Sequence, residues 1–117
     1  MNKYIEASAG TVTATIRRLN DELRRTFVGG AIMLTPGVIV LGGNTRKAIV
    51  AKVRAFNAFE EGNDPFGEHD FGAFEHDGEK VFFKIDYYNR AMTAGSDNPA
   101  DPSVTTRVLT IMLAGEY

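Results

Sequence analysis

The stretch Asp70-Phe-Gly-Ala-Phe-Glu-His76-Asp77-Gly78-Glu-Lys80-Val-Phe-Phe-Lys-Ile-Asp-Tyr-Tyr88 decides the fold. Asp77-Gly78 between two alternating runs is the strongest short-range hairpin signal, because a tight type I′ turn needs positive φ at both central residues. Val81, Phe83, Ile85 and Tyr87 share one side of the second run, as a half-buried strand requires. A two-residue turn then fixes the register. Phe74 faces Val81, Gly72 faces Phe83 and Asp70 faces Ile85 on one side. On the other, Glu75 faces Lys80, Ala73 faces Phe82, Phe71 faces Lys84 and His69 faces Asp86. The opposite charges of Glu75 and Lys80 favour this pairing.

Upstream, Ile16, Leu19, Leu23 and Phe27 recur at helical spacing over about 11–27. The charges of this segment fall into i, i+4 pairs: Arg17 with Asp21, Arg18 with Glu22, Asp21 with Arg25. Gly29-Gly30 ends the helix. Ala31–Thr35 and Val38–Leu41, separated by Pro36-Gly37, read as two short strands. A second helix is expected over about 45–60, capped by Asn44 or Thr45, with Ile49, Val53 and Phe56 on its buried stripe. Its charges run against the macrodipole, with Arg46 and Lys47 in the first turn and Glu60 and Glu61 in the last. A local rule broken in this way marks a place to look for function. After a loop over 93–101, Asp101-Pro102 reads as an N-cap followed by the first helical residue. It opens a final helix carrying Val104, Val108, Leu109, Ile111 and Met112, with Arg107 as its one interior charge. The expected order is α-β-β-α-β-β-α. That is one α+β domain over 1–117, with three helices on a mostly antiparallel sheet of about four strands.

Bulk composition narrows the function classes. The 117 residues include 13 Lys and Arg against 15 Asp and Glu, a net charge of −2. Residues 1–54 hold nine basic and three acidic side chains, a net of +6, and residues 55–117 hold four and twelve, a net of −8. The chain has no cysteine, which excludes disulfides, thiolate metal sites and thiol catalysis. No apolar run has the length of a membrane span, and Met1-Asn2-Lys3-Tyr4 lacks the apolar core of a secretory signal, so a cytoplasmic protein without membrane contact is expected. Gly42-Gly43 lacks the spacing of a phosphate or dinucleotide loop, and no cofactor is expected.

Three stretches together resemble a known family: Ile16-Arg-Arg-Leu-Asn-Asp21, Asp64-Pro-Phe-Gly-Glu-His-Asp-Phe-Gly72, and Lys84-Ile-Asp-Tyr-Tyr88 followed by Asp101-Pro-Ser-Val-Thr-Thr-Arg-Val-Leu-Thr-Ile-Met-Leu113. The chain resembles the family catalogued as domain of unknown function 3768, found mostly in alphaproteobacteria and their plasmids and phages. The resemblance covers nearly the whole chain and supplies no established activity. It implies a mobile-element setting, where small antirestriction and anti-CRISPR proteins are common.

Two constellations are candidates for the working site. The first is the acidic cluster of Glu60, Glu61, Asp64, Glu68, Asp70, Glu75, Asp77 and Glu79, eight carboxylates within twenty residues. Spaced carboxylates on one surface imitate a phosphate array and suit a partner with a basic nucleic-acid-binding groove. Phe66 adds an apolar anchor, since charge alone gives more rate and specificity than affinity. The expected function is therefore a binding module that inhibits a host nucleic-acid-targeting defence protein, of anti-CRISPR or antirestriction type. The second constellation is His69 with Asp70 and Asp86, the catalytic set of an alternative reading as a small metal-dependent hydrolase or nuclease. There His69 would be a general base oriented by Asp86. The named zinc motifs are missing, and adjacent strand residues point to opposite faces, so Glu68, His69 and Asp70 converge only if the stretch is a loop. The basic first half carries no nucleic-acid-binding signature, so direct nucleic-acid binding is not expected. A monomer or a homodimer is expected, the latter pairing the basic half of one copy with the acidic half of another.

Overall fold

The computed structural model describes residues 9–117. The described chain is α+β. Helix α1 spans Ala9–Thr26, strand β1 Ala31–Leu34, helix α2 Pro36–Ile39, helix α3 Gly43–Ala55, and strands β2, β3 and β4 span Phe71–His76, Glu79–Asn89 and Thr105–Leu113. A 3-10 turn over Ala114–Glu116 follows β4. The four strands form one sheet in the order β1-β4-β3-β2. The β2–β3 and β3–β4 pairs are antiparallel, and β1–β4 is the single parallel pair. Among the described residues no helix is long and apolar enough to cross a membrane.

The hairpin forms in the register its turn dictates. Phe74 pairs with Val81, Gly72 with Phe83, Ala73 with Phe82, Phe71 with Lys84 and Glu75 with Lys80. Asp77 and Gly78 both take positive φ, as the tight turn demands. Gly72 has a second reason to be glycine. A Cβ there would sit 2.2 Å from the Phe83 ring, which fills that space against Phe56.

The α1 stripe is buried through Ile16 and Leu23, with Leu19 and Phe27 half-buried. The core joins Leu23 of α1, Val38 of α2, Ile49 and Val53 of α3, Val81, Phe83 and Ile85 of β3, and Leu109 and Ile111 of β4. The helices α1, α2 and α3 thus pack on one face of the sheet.

Two elements differ from expectation, and because they exchange types the described residues still hold three α-helices and four strands. Val38–Leu41 is not a strand. Thr35, at φ −74 and ψ 160, is the N-cap of α2, with Pro36 in the first helical turn. Pro-Gly fits a turn centre, but proline suits the first helical position equally well. The Glu116 carboxylate holds this corner, accepting the Thr35 hydroxyl at 2.6 Å and the Gly37 N–H at 3.0 Å. The expected last helix is strand β4, paired with β1 on one side and β3 on the other. Its residues Thr105, Val108, Leu109, Ile111 and Met112 are buried on both faces. A strand covered on both sides reads as a broad apolar helix face, and the β-branched Thr105, Thr106, Val108, Thr110 and Ile111 carry the opposing signal. Asp101 does cap, but it caps a turn: its carboxylate accepts both the N–H and the hydroxyl of Ser103.

Helix α3 also ends earlier than expected. It starts behind Gly42 at φ 96 rather than at Asn44 or Thr45, and Phe56 leaves helical geometry at ψ 133. Glu60 and Glu61 therefore lie outside the helix, and its last turn carries Lys52 and Arg54, which suit the dipole. The expected reversal of charge is confined to the helix start, where there is no acidic residue.

Candidate functional site

The segment from Phe56 to Asp70 joins α3 to β2, crosses the α1 side of the sheet and contains most of the residues singled out above. Side chains from the neighbouring elements fix it at several points. Arg24 of α1 is fully buried and reaches the end of α3, where its guanidinium donates to the carbonyls of Val53, Arg54 and Phe56 at 3.1, 3.2 and 2.8 Å. Carbonyls at the end of α3 are thus satisfied by a side chain from another helix, the Val53 carbonyl sharing its guanidinium contact with the Phe56 N–H. Its second terminal nitrogen donates to the Asp21 carboxylate at 3.0 Å. The guanidinium also lies 5.2 Å above the Phe59 ring and 5.9 Å above the Phe83 ring. Burial lowers the Arg24 pKa, and Asp21 opposes that shift.

A second polar chain runs from β4 to the loop. Arg107, 2% exposed, donates its Nε–H to the Asn20 side-chain oxygen at 2.9 Å and a terminal N–H to the Pro99 carbonyl. The fully buried Asn20 amide donates to the Glu68 carbonyl at 3.0 Å and to the Tyr87 hydroxyl at 2.8 Å. Tyr87 in turn donates to the Glu68 carboxylate at 2.7 Å. Burial, then the bond to Glu68, pushes the Tyr87 phenol far above its ordinary pKa, so it stays a donor throughout the physiological range. Arg17 donates to the Gly67 carbonyl at 2.9 Å, at a residue whose φ of +70 favours glycine.

His69 sits where these contacts meet. Its backbone has φ 57, which ends the strand register at Asp70, the last residue that bonds to Ile85. The expected partner, Asp86, is therefore out of reach of His69 and pairs instead with Lys84 at 2.6 Å on its own strand. The imidazole Nδ1 contacts the Asp21 carboxylate at 2.8 Å, and Nε2 lies 3.7 Å from Asp64. The ring stacks on Phe59 with centroids 3.8 Å apart and planes 4° from parallel. Asp64 uses its other oxygen to accept the His69 N–H at 3.1 Å. Burial, then repulsion from Glu68, raises the Asp70 pKa. The alternative catalytic set of His69, Asp70 and Asp86 is thus not assembled. Among the described residues no group of three or more His, Asp or Glu side chains is placed to hold a metal ion.

The acidic cluster divides by burial. Asp64 is buried, and Glu68 and Asp70 are half-buried within the loop's own bonding. Glu60 and Glu61 are exposed in a turn closed by Asn63, whose side chain accepts the Glu60 N–H and donates to the Ala58 carbonyl. Phe66 is 77% exposed a few residues further on. Glu75, Asp77 and Glu79 are exposed around the hairpin turn, interrupted by Lys80 and by Lys52, which donates to the Glu75 carbonyl.

Asn20, Arg24, Tyr87 and Arg107 are not among the site residues expected from the sequence. The first two occupy the same i, i+4 row as Ile16, so the helix stripe contained buried polar groups. That placement was the available signal. Arg107 was visible as the lone charge in an apolar run.

The sequence model of the family described as Protein of unknown function (DUF3768) matches residues 34–116, and the chain belongs to that family. No curated protein and no solved structure gives a significant match.

Proposed function

We propose that this protein is a protein-binding module whose working surface is the exposed part of the acidic 60–79 region. Glu60, Glu61 and Phe66 form its centre, and Glu75, Asp77 and Glu79 at the hairpin turn supply outlying charge. The observation that carries this reading is Phe66: a large aromatic, 77% exposed, on a loop fixed by Arg17, Asn20, Asp64 and Asn63. A loop held in one conformation loses little entropy on binding, and an exposed aromatic on the same loop as exposed carboxylates suits an apolar pocket in a basic surface. The partner class that fits is a nucleic-acid-binding protein. In the mobile-element setting that the family resemblance implies, that partner is a host defence protein of CRISPR or restriction type, met in the cytoplasm.

Asp64 supports the loop from within and does not belong to the contact surface. The test is therefore affinity capture from a host lysate with Glu60→Arg/Glu61→Arg and with Phe66→Ala. The captured partner should be lost in both variants and displaced by added DNA or RNA. Capture that both variants keep, or that nucleic acid leaves untouched, counts against the reading.

A hydrolase centred on His69 has one observation in its favour: an imidazole oriented by a carboxylate, here Asp21 at 2.8 Å. Its readout is hydrolysis of nucleic-acid and ester substrates by the wild type and by His69→Gln. Absence of any wild-type turnover removes it.

A further inference from the structure

The charge division of the sequence follows the order of the elements. Among the described residues, the segment from α1 to α3 carries eight Arg and Lys and only Asp21 and Glu22 as acids. Within this basic segment a groove of about 370 Å³ opens between the end of β1 and α3. Leu34, Val50 and Ala51 form its apolar floor, and Arg46, Lys47 and Arg54 its rim. Among the described residues no carboxylate lines it. Arg54 is held back, donating to the Arg25 carbonyl at 2.9 Å and stacking on Phe27. Lys47 is exposed, and Arg46 reaches only the Ile39 carbonyl at 3.5 Å. Beside that carbonyl, Ile39 and Val40 are 45% and 78% exposed, which extends the apolar area past the rim.

An occupant of this groove needs one aromatic or aliphatic anchor and carboxylates a few residues away. The chain itself carries such a segment, in a conformation fixed by the loop's own hydrogen bonds: Phe66 with Glu60 and Glu61. Within one copy Phe66 stands in solvent and is not among the groove residues. We propose that the groove of one copy receives the Glu60–Phe66 loop of a second copy, with Phe66 on the Leu34–Val50–Ala51 floor and Glu60 and Glu61 against Arg46 and Lys47. Two such contacts made reciprocally close a two-fold dimer. Charge complementarity across the rim gives the contact its register and its salt dependence. The dimer uses the same loop as the proposed partner site, so self-association and partner binding exclude each other. It needs no foreign protein, however, and the purified chain tests it whether or not a partner is ever captured.

The experiment is sedimentation velocity on the wild type, on Arg46→Glu/Lys47→Glu, on Glu60→Arg/Glu61→Arg, and on an equimolar mixture of the two variants. The wild type should be dimeric at roughly 0.05 M salt and shift towards monomer at roughly 0.5 M, where the Debye length falls several-fold. Each variant alone should weaken association by about tenfold or more, because like charges then meet at both contacts. The mixture should restore the dimer, since each acidic loop meets a basic groove and each basic loop an acidic one. Circular dichroism checks that the variants fold, and the single changes Lys47→Glu and Glu61→Arg provide a milder pair. A wild type that is monomeric up to about 1 mM, a dimer that both variants keep, or a mixture that stays monomeric overturns the proposal.

Discussion

Arg24 carries more structure than any other single side chain in the described chain. It ends α3, neutralises Asp21 and lies against Phe59 and Phe83. Replacing it with Ala removes the guanidinium from the Val53, Arg54 and Phe56 carbonyls and from the half-buried Asp21 carboxylate. A loss of about 3–5 kcal/mol is expected, the range for breaking a buried pair from one side. Lys at the same place restores charge but not the planar fork, so Arg24→Lys should recover less than half of that loss. Urea unfolding of the two variants measures both values. Asp70 offers a test with a pH signature. Its folded pKa is raised, first by burial and then by Glu68. The native state therefore binds this proton more tightly than the unfolded chain does, and the carboxylate costs stability at neutral pH. Asp70→Asn should accordingly stabilise the protein at pH 7. The gain should shrink as pH falls through the raised native pKa and vanish below the ordinary carboxylate range. Urea midpoints at several pH values report it, and a pH-independent loss would contradict the assignment. At this scale the sequence pointed to the right neighbourhood. His69 was legible as a residue of interest, but its partner was not. The strand register breaks one residue earlier than the alternation suggests, through a positive φ that no composition signal announces.

Elements divide into those fixed by local chemistry and those fixed by what covers them. The β2–β3 hairpin belongs to the first kind: Asp77-Gly78 and the alternation on both sides contain its register. Gly72 belongs to this layer too. Gly72→Ala should cost about 1–3 kcal/mol by overpacking against Phe83, with the loss read in the urea midpoint. Strand β4 belongs to the second kind. Nothing within Thr105–Leu113 reveals that β1 lies on one side and β3 on the other, so a both-faces-buried strand imitates a helix. Its central place predicts that the backbone amides of Val108 to Ile111 are among the slowest to exchange with solvent. Leu109→Pro should abolish cooperative folding, because proline can neither donate to a ladder nor sit in a central strand. Exchange at β4 as fast as at the Asn89–Thr93 turn would count against the strand. The early end of α3 is of the same kind, since the donor that terminates it stands about thirty residues away on another helix.

At the scale of the molecule, basic helices are tied to an acidic loop and hairpin through a buried polar network. Arg107, Asn20, Tyr87 and Glu68 connect the central strand to the loop that exposes Phe66. Stability and presentation of the loop are therefore coupled. Tyr87→Phe removes the hydroxyl that joins Asn20 to Glu68 and should cost about 1–3 kcal/mol. It should also loosen the loop without altering its exposed groups. The charge asymmetry was legible in the sequence from the start. Its subdivision was not, because burial of Asp64, Glu68 and Asp70 depends on α1 and β3 side chains distant in sequence. Glu60, Glu61 and Phe66 in the loop and Glu75, Asp77 and Glu79 at the hairpin remain exposed, and they make up the proposed acidic patch. The most direct test of that patch is the affinity of a captured partner for four chains: wild type, Phe66→Ala, Glu60→Arg/Glu61→Arg and Tyr87→Phe. The account predicts a loss of tenfold or more in Kd for the first two variants. It predicts a smaller loss for Tyr87→Phe, carried by the cost of ordering a loosened loop. Equal affinity for all four chains would contradict it.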